Sequence, residues 1–484
     1  MMPKIAINGQ TLEVPVGTLV LDACKQVGID IPHYCYHPAL TPVATCRMCM
    51  VEIKGMPKLA TSCTTTVGLA PKDQPDGLAM EIFTDTPQVA DARAGVMEFL
   101  LMNHPLDCPI CDQAGECKLQ DYSYAYGSGD SRMHEAKRRY RYEDLGGKIV
   151  IDKNRCIHCT RCIRFTQEIS GGSELTVAQR GANLEVTTYS GKSLDSNPYA
   201  ANVVDICPVG ALTSRDFRFK KRVWYLTSTP SICRESALAA PVWIDHEGNQ
   251  IYRMRPRPIE GQKDTHFISD RERYSYKHYN LQDRPTQIIL RRNGGASDLF
   301  TQALQAPTAV VVQGTVGCDA AQKIAECASS PEHRYGSGDR RLPIDLAHLQ
   351  QETDGVINRK GLEQRGYRFG QLATLKKQLE EGSIKTVILV HDERISSDAE
   401  VALLKEILQL ASTSIVFEVL QSELGQLATL WIPMTSYVEE SDFVINLRGE
   451  ICRYQKALKA PDGCSTIIQW LQILRTSTLA TTSS

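Results

Sequence analysis

The sequence lacks any long apolar segment. No uninterrupted apolar run approaches the roughly 18 residues that a membrane-spanning helix needs, although 42% of the residues are hydrophobic. The N-terminus, Met1-Met2-Pro3-Lys4, leads directly into a strand-like pattern and carries neither a secretory apolar region nor an Arg- and Ser-rich transit peptide. We therefore expect the protein to remain in the cytoplasm and to reach a membrane only through a partner.

An excess of charge of one sign is also missing. The 54 Lys and Arg residues nearly balance the 56 Asp and Glu residues, which leaves a formal net charge of −2. Nothing therefore attracts the whole chain to nucleic acid or to an anionic membrane. Two nucleotide-binding patterns are absent from the sequence as well, G-x-x-x-x-G-K-[ST] and a G-x-G-x-x-G that follows a strand. Direct binding of a nucleotide cofactor by this chain is not predicted.

Cysteine, in contrast, is abundant and unevenly distributed. Of 17 cysteines, 13 precede residue 234, and several form C-x-x-C pairs. In a small secreted protein such a count indicates disulfides, whereas in a long cytosolic chain the reducing compartment keeps thiols free to bind metal. The pattern favours metal or iron–sulfur sites.

The first cysteine set is Cys35-x10-Cys46-x2-Cys49-x13-Cys63. It follows a predicted hairpin over residues 4–17 with an Asn8-Gly9 turn and a short helix that Thr18 is expected to cap. Four thiolates are what a [2Fe–2S] cluster requires. A zinc site of four cysteines is the alternative, but such sites usually contain two close pairs and this set contains one.

The second set is His104-x3-Cys108-x2-Cys111-x5-Cys117, with the histidine at the end of a helix predicted over Asp91–Asn103. We place Val96, Phe99 and Leu100 on one face of that helix. An imidazole can replace a thiolate at one corner of a [4Fe–4S] cluster. A lone histidine is more often a core or capping residue, but this one precedes three cysteines that lack a fourth thiol. Zinc held by three cysteines and a histidine remains the alternative.

The third set is Cys156-x2-Cys159-x2-Cys162, completed at a distance by Cys207-Pro208. This triple is typical of [4Fe–4S] ferredoxins. Two-cluster ferredoxins carry a further Cys-Pro three residues after the triple, where this chain has Thr166. One cluster is therefore predicted here. We interpret the other cysteines as structural: Cys24, Cys233, Cys318, Cys327, Cys452 and Cys464.

The rest of the chain changes in character after about residue 220. Strand patterns at Ala309–Val312, Thr386–Val390, Ser414–Glu418 and Leu430–Ile432 alternate with helices such as Asp398–Leu410, which indicates an α/β region. We divide the chain into a [2Fe–2S] ferredoxin-like domain (1–85), a His/Cys [4Fe–4S] segment (86–125), a [4Fe–4S] ferredoxin-like domain (126–220) and an α/β domain (221–484).

Over roughly residues 4–220 the sequence resembles the large iron–sulfur subunit (75 kDa type) of respiratory complex I, the NADH:quinone oxidoreductase. The resemblance rests on Cys35-Tyr-His-Pro38, Cys46-Arg-Met-Cys49, the segments Asn103–Cys117 and Arg155–Phe165, and Asp205–Leu212. All eleven cysteines of the three sets and His104 coincide with the family's ligands. The C-terminal half is similar to the molybdopterin-oxidoreductase fold, most clearly at residues 430–458, but is shortened and lacks the further four-cysteine site of some members.

The resemblance implies α+β ferredoxin-like iron–sulfur domains followed by a truncated α/β molybdopterin-oxidoreductase-like domain without that cofactor. It implies one [2Fe–2S] and two [4Fe–4S] clusters, which carry electrons from a flavin- and NADH-binding subunit to a ferredoxin-like subunit with two [4Fe–4S] clusters and on towards quinone. Other peripheral-arm subunits are implied partners. The expected location is peripheral, at the cytoplasmic face of the inner (plasma) membrane, and no complete active site or catalytic residue is expected on this chain alone.

Two other functions remain open. The equivalent iron–sulfur subunit of an NAD-linked hydrogenase or formate dehydrogenase shares the N-terminal set of sites. A zinc-stabilised assembly protein without a redox role belongs to a different class, which the metal content would distinguish.

Overall fold

A computed structural model describes residues 2–70, 77–140, 143–146, 148–189, 192–235, 237–280, 284–338, 356–392 and 396–476. The chain forms two compact units, one that ends at Tyr225 and one that begins at Leu226. In this described part, no helix is both long enough and apolar enough to cross a membrane.

The first unit begins with a mixed sheet that packs over a short helix. Its strands are β1 (Lys4–Ile7), β2 (Gln10–Glu13), β3 (Met50–Ile53), β4 (Ala60–Thr61) and β5 (Met80–Phe83), in the order β2-β1-β5-β3-β4, and its helix is α1 (Val20–Gln26). The predicted hairpin is confirmed, because β1 and β2 pair antiparallel around Asn8 and Gly9, which both have positive φ. The predicted cap is wrong. Leu19 precedes α1, and the Thr18 hydroxyl donates to the Pro15 carbonyl instead.

Two helices follow the sheet, α2 (Pro87–Asn103) and α3 (Lys118–Tyr126). Helix α2 ends before His104 as predicted, and it begins at the Thr86 cap, whose side chain accepts from the Val89 amide. Its buried residues are Val89, Arg93 and Met97, whereas Phe99 is 76% exposed. The face that we placed on Phe99 is therefore not the buried face.

The rest of the first unit consists of short elements. They are β6 (Glu143–Gly146), β7 (Ile149–Ile151), α4 (Arg161–Arg164), β8 (Leu175–Ala178), β9 (Glu185–Thr188), α5 (Asn202–Ile206) and β10 (Leu212–Ser214). Strand β7 pairs antiparallel with both β6 and β10, and β8 pairs with β9. Because the chain returns beside β7 at β10, residues just before β10 lie next to those just after β7.

The second unit begins with an antiparallel sheet of β11 (Thr227–Ile232), β12 (Pro241–Glu247) and β13 (Gln250–Pro256), followed by α6 (Asp270–Tyr274). Its larger sheet contains β14 (Ile289–Leu290), β15 (Thr308–Gln313), β16 (Arg334–Ser337), β17 (Arg368–Phe369), β18 (Thr386–His391), β19 (Thr413–Glu418) and β20 (Leu430–Pro433). A last hairpin consists of β21 (Asp442–Ile445) and β22 (Ile451–Tyr454). The helices are α7 (Ala296–Gln305), α8 (Cys318–Ala325), α9 (Arg359–Glu363), α10 (Leu372–Glu380), α11 (Asp398–Leu410), α12 (Glu423–Leu427) and α13 (Ile467–Thr476).

The larger sheet is doubly wound. Its strand order is β14-β20-β19-β18-β15-β16-β17, and all neighbours are parallel except β14 and β20. Alternate strand residues face opposite cores: Val310 packs in one cluster with α7, α8 and α13, whereas Val311 packs in another with α10, α11 and α12. The α/β region that the sequence predicts is confirmed, and helix α11 has the predicted bounds.

Candidate iron–sulfur sites

The first cysteine set lies in the loops around β3 and β4. Cys35, Cys49 and Cys63 are fully buried, and Cys46 is half-buried. The thiols contact one another: Cys35 interacts with Cys46 and Cys63, and Cys49 interacts with Cys63. All four thiols are free of disulfides. The sequence-predicted residues of this set are therefore brought together.

Ionisation of these thiols is coupled. The Cys46 thiol donates to Cys35 and holds the pKa of Cys35 far below its usual range, while the same contact raises the pKa of Cys46. The contact from Cys63 lowers the pKa of Cys49 to about 7. Neighbouring thiolates repel, so the four can all be ionised only around a positively charged centre. A thiolate-ligated iron pair provides such a centre, and this donor set fits it.

The second set surrounds the start of helix α3. His104 follows the last residue of α2, Cys108 begins a short 3-10 turn, Cys111 follows that turn, and Cys117 precedes α3. Cys111 is 9% exposed, whereas Cys108 is exposed. An open pocket lined by Cys108, Gly115 and other residues leads to this set from solvent.

His104 is prepared for ligation. Within the described residues its buried Nδ1 has no hydrogen-bond partner. Burial lowers the pKa of His104 to about 4, with the charge of Arg155 as a smaller cause, so the imidazole is neutral at neutral pH. A neutral imidazole nitrogen is the form that binds metal, and a buried polar atom without a partner is costly. Ligation by His104 would remove that cost.

A glycine leaves room for this set. Gly210 is buried, and a Cβ atom at that position would lie 2.2 Å from Cys111 Sγ and 3.1 Å from Gln113 Cβ. Gly210 closely follows the Cys207-Pro208 segment of the third set. The sequence gives no sign of this requirement, because the close approach joins residues about a hundred positions apart.

The third set is assembled from three elements. Cys156 follows a 3-10 turn, Cys162 lies in α4, and Cys207 follows α5. With Cys159 they line one pocket, whose other walls include Ile151, Val209 and Leu212. Burial raises the pKa of both Cys156 and Cys207 to about 12, as expected for thiols in apolar surroundings without a cation.

Backbone geometry fits the third set to a cluster. His158 and Thr160 have φ values of 53° and 60°, in the left-handed region, and they curve the loop around the thiols. The His158 amide lies 3.4 Å from Cys156 Sγ and donates to it. Backbone amides near Cys207 lower the pKa of its thiol, although burial outweighs them. Amide hydrogen bonds to sulfur are one means of setting a cluster's potential.

The three sets are neighbours in the first unit, and the third contacts both others. Towards the first set, Arg164 Nη2 donates to the Cys35 carbonyl at 2.5 Å. Towards the second set, Arg155 Nη2 donates to Asp107 Oδ2 at 3.0 Å, and the Lys118 amide donates to the Pro208 carbonyl at 3.2 Å. The order along the chain is first, second, third, but the third set has contacts on either side.

Within the described residues, no group of three or more His, Cys, Asp or Glu side chains has the spacing to hold a single metal ion. Most of the cysteines outside the three sets are buried, and Cys452 is half-buried. Burial raises the pKa of Cys24 to about 11, as expected for a thiol in a hydrophobic core.

Comparison with known protein families gives three matches, all in the first unit. Residues 2–68 match a 2Fe-2S iron-sulfur cluster binding domain. Residues 93–132 match the NADH-ubiquinone oxidoreductase-G iron-sulfur binding region. Residues 146–213 match the ferredoxin-like domain of NADH-quinone oxidoreductase subunit 3. The ranges contain the first, second and third sets respectively.

Individual relatives agree with these matches. The chain is 45% identical over 306 residues to a subunit of the NADH-quinone oxidoreductase of Rickettsia bellii, which covers 63% of this chain and 43% of that protein. It is 44% identical over 293 residues to the NADH-ubiquinone oxidoreductase 75 kDa subunit of Reclinomonas americana, covering 60% and 41%. A mitochondrial NADH dehydrogenase [ubiquinone] iron-sulfur protein 1 of Solanum tuberosum is 45% identical over 273 residues, covering 56% and 36%. The match therefore spans less than half the length of these relatives.

Among solved structures, a chain of an NAD+-reducing [NiFe]-hydrogenase in the H2-reduced state is 26% identical. That match covers 46% of this chain and 91% of the other, with a TM-score of 0.40, which is too low to support an argument. The sequence relatives and the three domain matches agree with one another. The chain is a homologue of the 75 kDa iron–sulfur subunit of NADH-quinone oxidoreductases.

Proposed function

We propose that this chain is an electron-transfer subunit of an NADH:quinone oxidoreductase and holds one [2Fe–2S] and two [4Fe–4S] clusters. The [2Fe–2S] ligands are Cys35, Cys46, Cys49 and Cys63. The ligands of the two [4Fe–4S] clusters are His104, Cys108, Cys111 and Cys117 in one, and Cys156, Cys159, Cys162 and Cys207 in the other. The observation that carries the proposal is that all three sets lie within one unit and contact each other.

The clusters, when bound, supply one-electron carriers that connect a flavin- and NADH-binding subunit to a ferredoxin-like subunit nearer quinone. The contacts of the third set with both others support a sequence in which it stands between the first set and the second. The protein's own residues hold the sulfur atoms, exclude water and set the local charge. The exposure of Cys108 supports the second set as the exit. No complete active site is expected on this chain.

In the second unit we propose a shortened molybdopterin-oxidoreductase-like domain without cofactor. Parallel sheets with its strand order bind dinucleotides at the turn after their first strand, with phosphate at the helix N-terminus. Here the amides in the first turn of α8 already have partners, because those of Asp319 and Ala320 each donate to the Asp442 carboxylate at 3.1 Å. A Cβ on Gly317 would lie 2.2 Å from Asp442 Oδ2. This internal carboxylate occupies the place of a phosphate, which supports a scaffold role.

The finer organisation is proposed on the same grounds. We infer domains at 1–85, 86–125, 126–220 and 221–484, and a peripheral position on the cytoplasmic face of the membrane, held by the other subunits of the peripheral arm. The relatives described above are named as components of NADH-quinone or NADH-ubiquinone oxidoreductases, which favours that complex over an NAD-linked hydrogenase or formate dehydrogenase.

Metal analysis under anaerobic conditions tests the proposal. The protein is purified anaerobically, its iron, sulfide and zinc are measured, and electron paramagnetic resonance (EPR) spectra are recorded after dithionite reduction. About ten irons per chain, the sum of two, four and four, are expected, with signals of both cluster types. Stoichiometric zinc with little iron, from an iron-replete host, would instead leave a zinc-stabilised assembly protein.

A further inference from the structure

Two arginines lie between the first and third cysteine sets. Arg161 is the first residue of α4 and separates Cys159 from Cys162 in the sequence. Its Nη2 donates to the carbonyl of Tyr36, the residue after Cys35, and its Nη1 donates to the carbonyl of Ile206 at 3.2 Å. Ile206 immediately precedes Cys207. One guanidinium therefore joins the backbone beside a ligand of each set.

Arg164 lies one helical turn further along and is 6% exposed. Its Nη2 donates to the Cys35 carbonyl and its Nη1 to the Thr41 carbonyl, each at 2.5 Å. Its Nε donates to the Thr160 hydroxyl at 3.4 Å. The partners of both arginines are thus uncharged oxygens.

Neither guanidinium forms an ion pair with a carboxylate in the described part of the chain; the partners of Arg161 and Arg164 are those named above. A buried positive charge without a counter-ion is strongly unfavourable. The charges nearest to them are thiols: Arg161 is influenced by Cys159, Cys207 and Cys35. Four thiolates around an iron cluster carry a net negative charge, so the clusters themselves are suited to be the missing counter-ions.

We propose that Arg161 and Arg164 are positively charged positioning residues shared by the [2Fe–2S] site and the third-set [4Fe–4S] site, and that they raise the reduction potentials of both. This inference rests on the proposed function. The physical reason is that reduction adds a negative charge to a cluster, and a nearby fixed positive charge stabilises the reduced state. Because the two charges lie between the sites, each acts on both.

The test is a redox titration of the intact complex, monitored by EPR, for variants Arg161→Gln and Arg164→Gln. Each substitution removes one charge, and we expect a lower midpoint potential for both the [2Fe–2S] signal and the third-set signal. Arg164→Lys keeps the charge and should keep the potentials close to those of the wild type, although it alters the hydrogen bonds.

Arg222 offers a matched control. It also donates to the backbone of a ligand, with Nη1 to the Cys111 carbonyl and Nη2 to the Pro109 carbonyl, both at 2.5 Å. These partners belong to the second set. Arg222→Gln should therefore shift the signal of the His104-containing site and leave the other two midpoints unchanged.

Each outcome decides the question. Unchanged midpoints in both Gln variants, or equal shifts in Arg164→Lys and Arg164→Gln, overturn the charge role while the electron-carrier proposal stands. If the wild type lacks iron–sulfur signals, the proposed function fails first. If Arg164→Gln loses iron, the half-buried Arg161→Gln decides alone. Should both Gln variants lose iron, normal potentials in Arg164→Lys support the charge role, and loss of clusters there too refutes it.

Discussion

Substitution of Gly210 by alanine should remove one [4Fe–4S] cluster and leave the other two sites intact. The added Cβ would lie 2.2 Å from Cys111 Sγ, whereas non-bonded heavy atoms pack at about 3.5–4.0 Å. The sulfur would have to move by about 1.5 Å to restore ordinary contact. Its neighbour Gln113 is also close, at 3.1 Å from the new atom, so the backbone segment cannot give way cheaply. A thiolate displaced by that distance no longer reaches its iron.

The assay is iron content with EPR on protein that is purified anaerobically. Iron should fall from about ten to about six per chain, because the second set loses its four irons. The signals of the [2Fe–2S] site and of the third set should remain. Gly95→Ala is the matched control: it adds the same methyl group inside α2, where a new Cβ meets nothing within 4 Å. That variant should keep all irons and gain about 0.5–1 kcal/mol of stability from helix propensity.

Full retention of about ten irons in Gly210→Ala would refute the reasoning. It would mean that Cys111 is not held where the structure places it, or that it is not a ligand. Equal loss of all three signals would also count against it, because a local clash at Cys111 should not disturb the first set, which lies in different loops.

His104→Cys should retain four irons at the second set and lower the midpoint potential of that one [4Fe–4S] signal, because a thiolate adds negative charge; EPR-monitored titration measures this shift. Glu439→Ala should destabilise the second unit by about 3–5 kcal/mol in chemical denaturation, since it strips a buried ion pair from Arg284, at 2.5 Å. Burial raises the pKa of Glu440 to about 7. The folded state therefore retains a proton that the unfolded state releases at lower pH, and the free energy of unfolding should fall as pH rises from about 4.5 to about 7. Glu440→Gln should remove that part of the pH dependence in denaturation measured across this range.

These three expectations have distinct controls. A His104→Cys variant with an unchanged potential would exclude His104 as a ligand. The exposed pair of Arg448 and Asp264 is a reference for the buried pair: Asp264→Ala should cost at most about 1 kcal/mol, and an equal cost for Glu439→Ala would contradict the argument from burial. For Glu440, an undiminished pH slope in the Gln variant would assign the effect to other groups.

Local features of the sequence were sufficient for several elements. Asn8-Gly9 predicts its hairpin because only a turn with positive φ at both positions joins strands of that twist. Helix α11 and the strand β18 follow from residue periodicity alone. The cap at Thr18 and the buried face of α2 were wrong, because both depend on what packs nearby. The Thr18 hydroxyl turns to Pro15, and α2 buries Arg93, whose Nη2 donates to the Met50 carbonyl at 3.2 Å.

Cysteine spacing, by itself, determined which residues are candidate ligands and which cluster type each set suits, because a cluster requires a given number and kind of donors. Only the tertiary structure decided how the sets are arranged. The position of the third set, the placement of Arg164 against Cys35 and the room that Gly210 leaves for Cys111 all depend on contacts between residues about a hundred or more positions apart. Such contacts follow from how helices and loops pack, and no local pattern in the sequence specifies them.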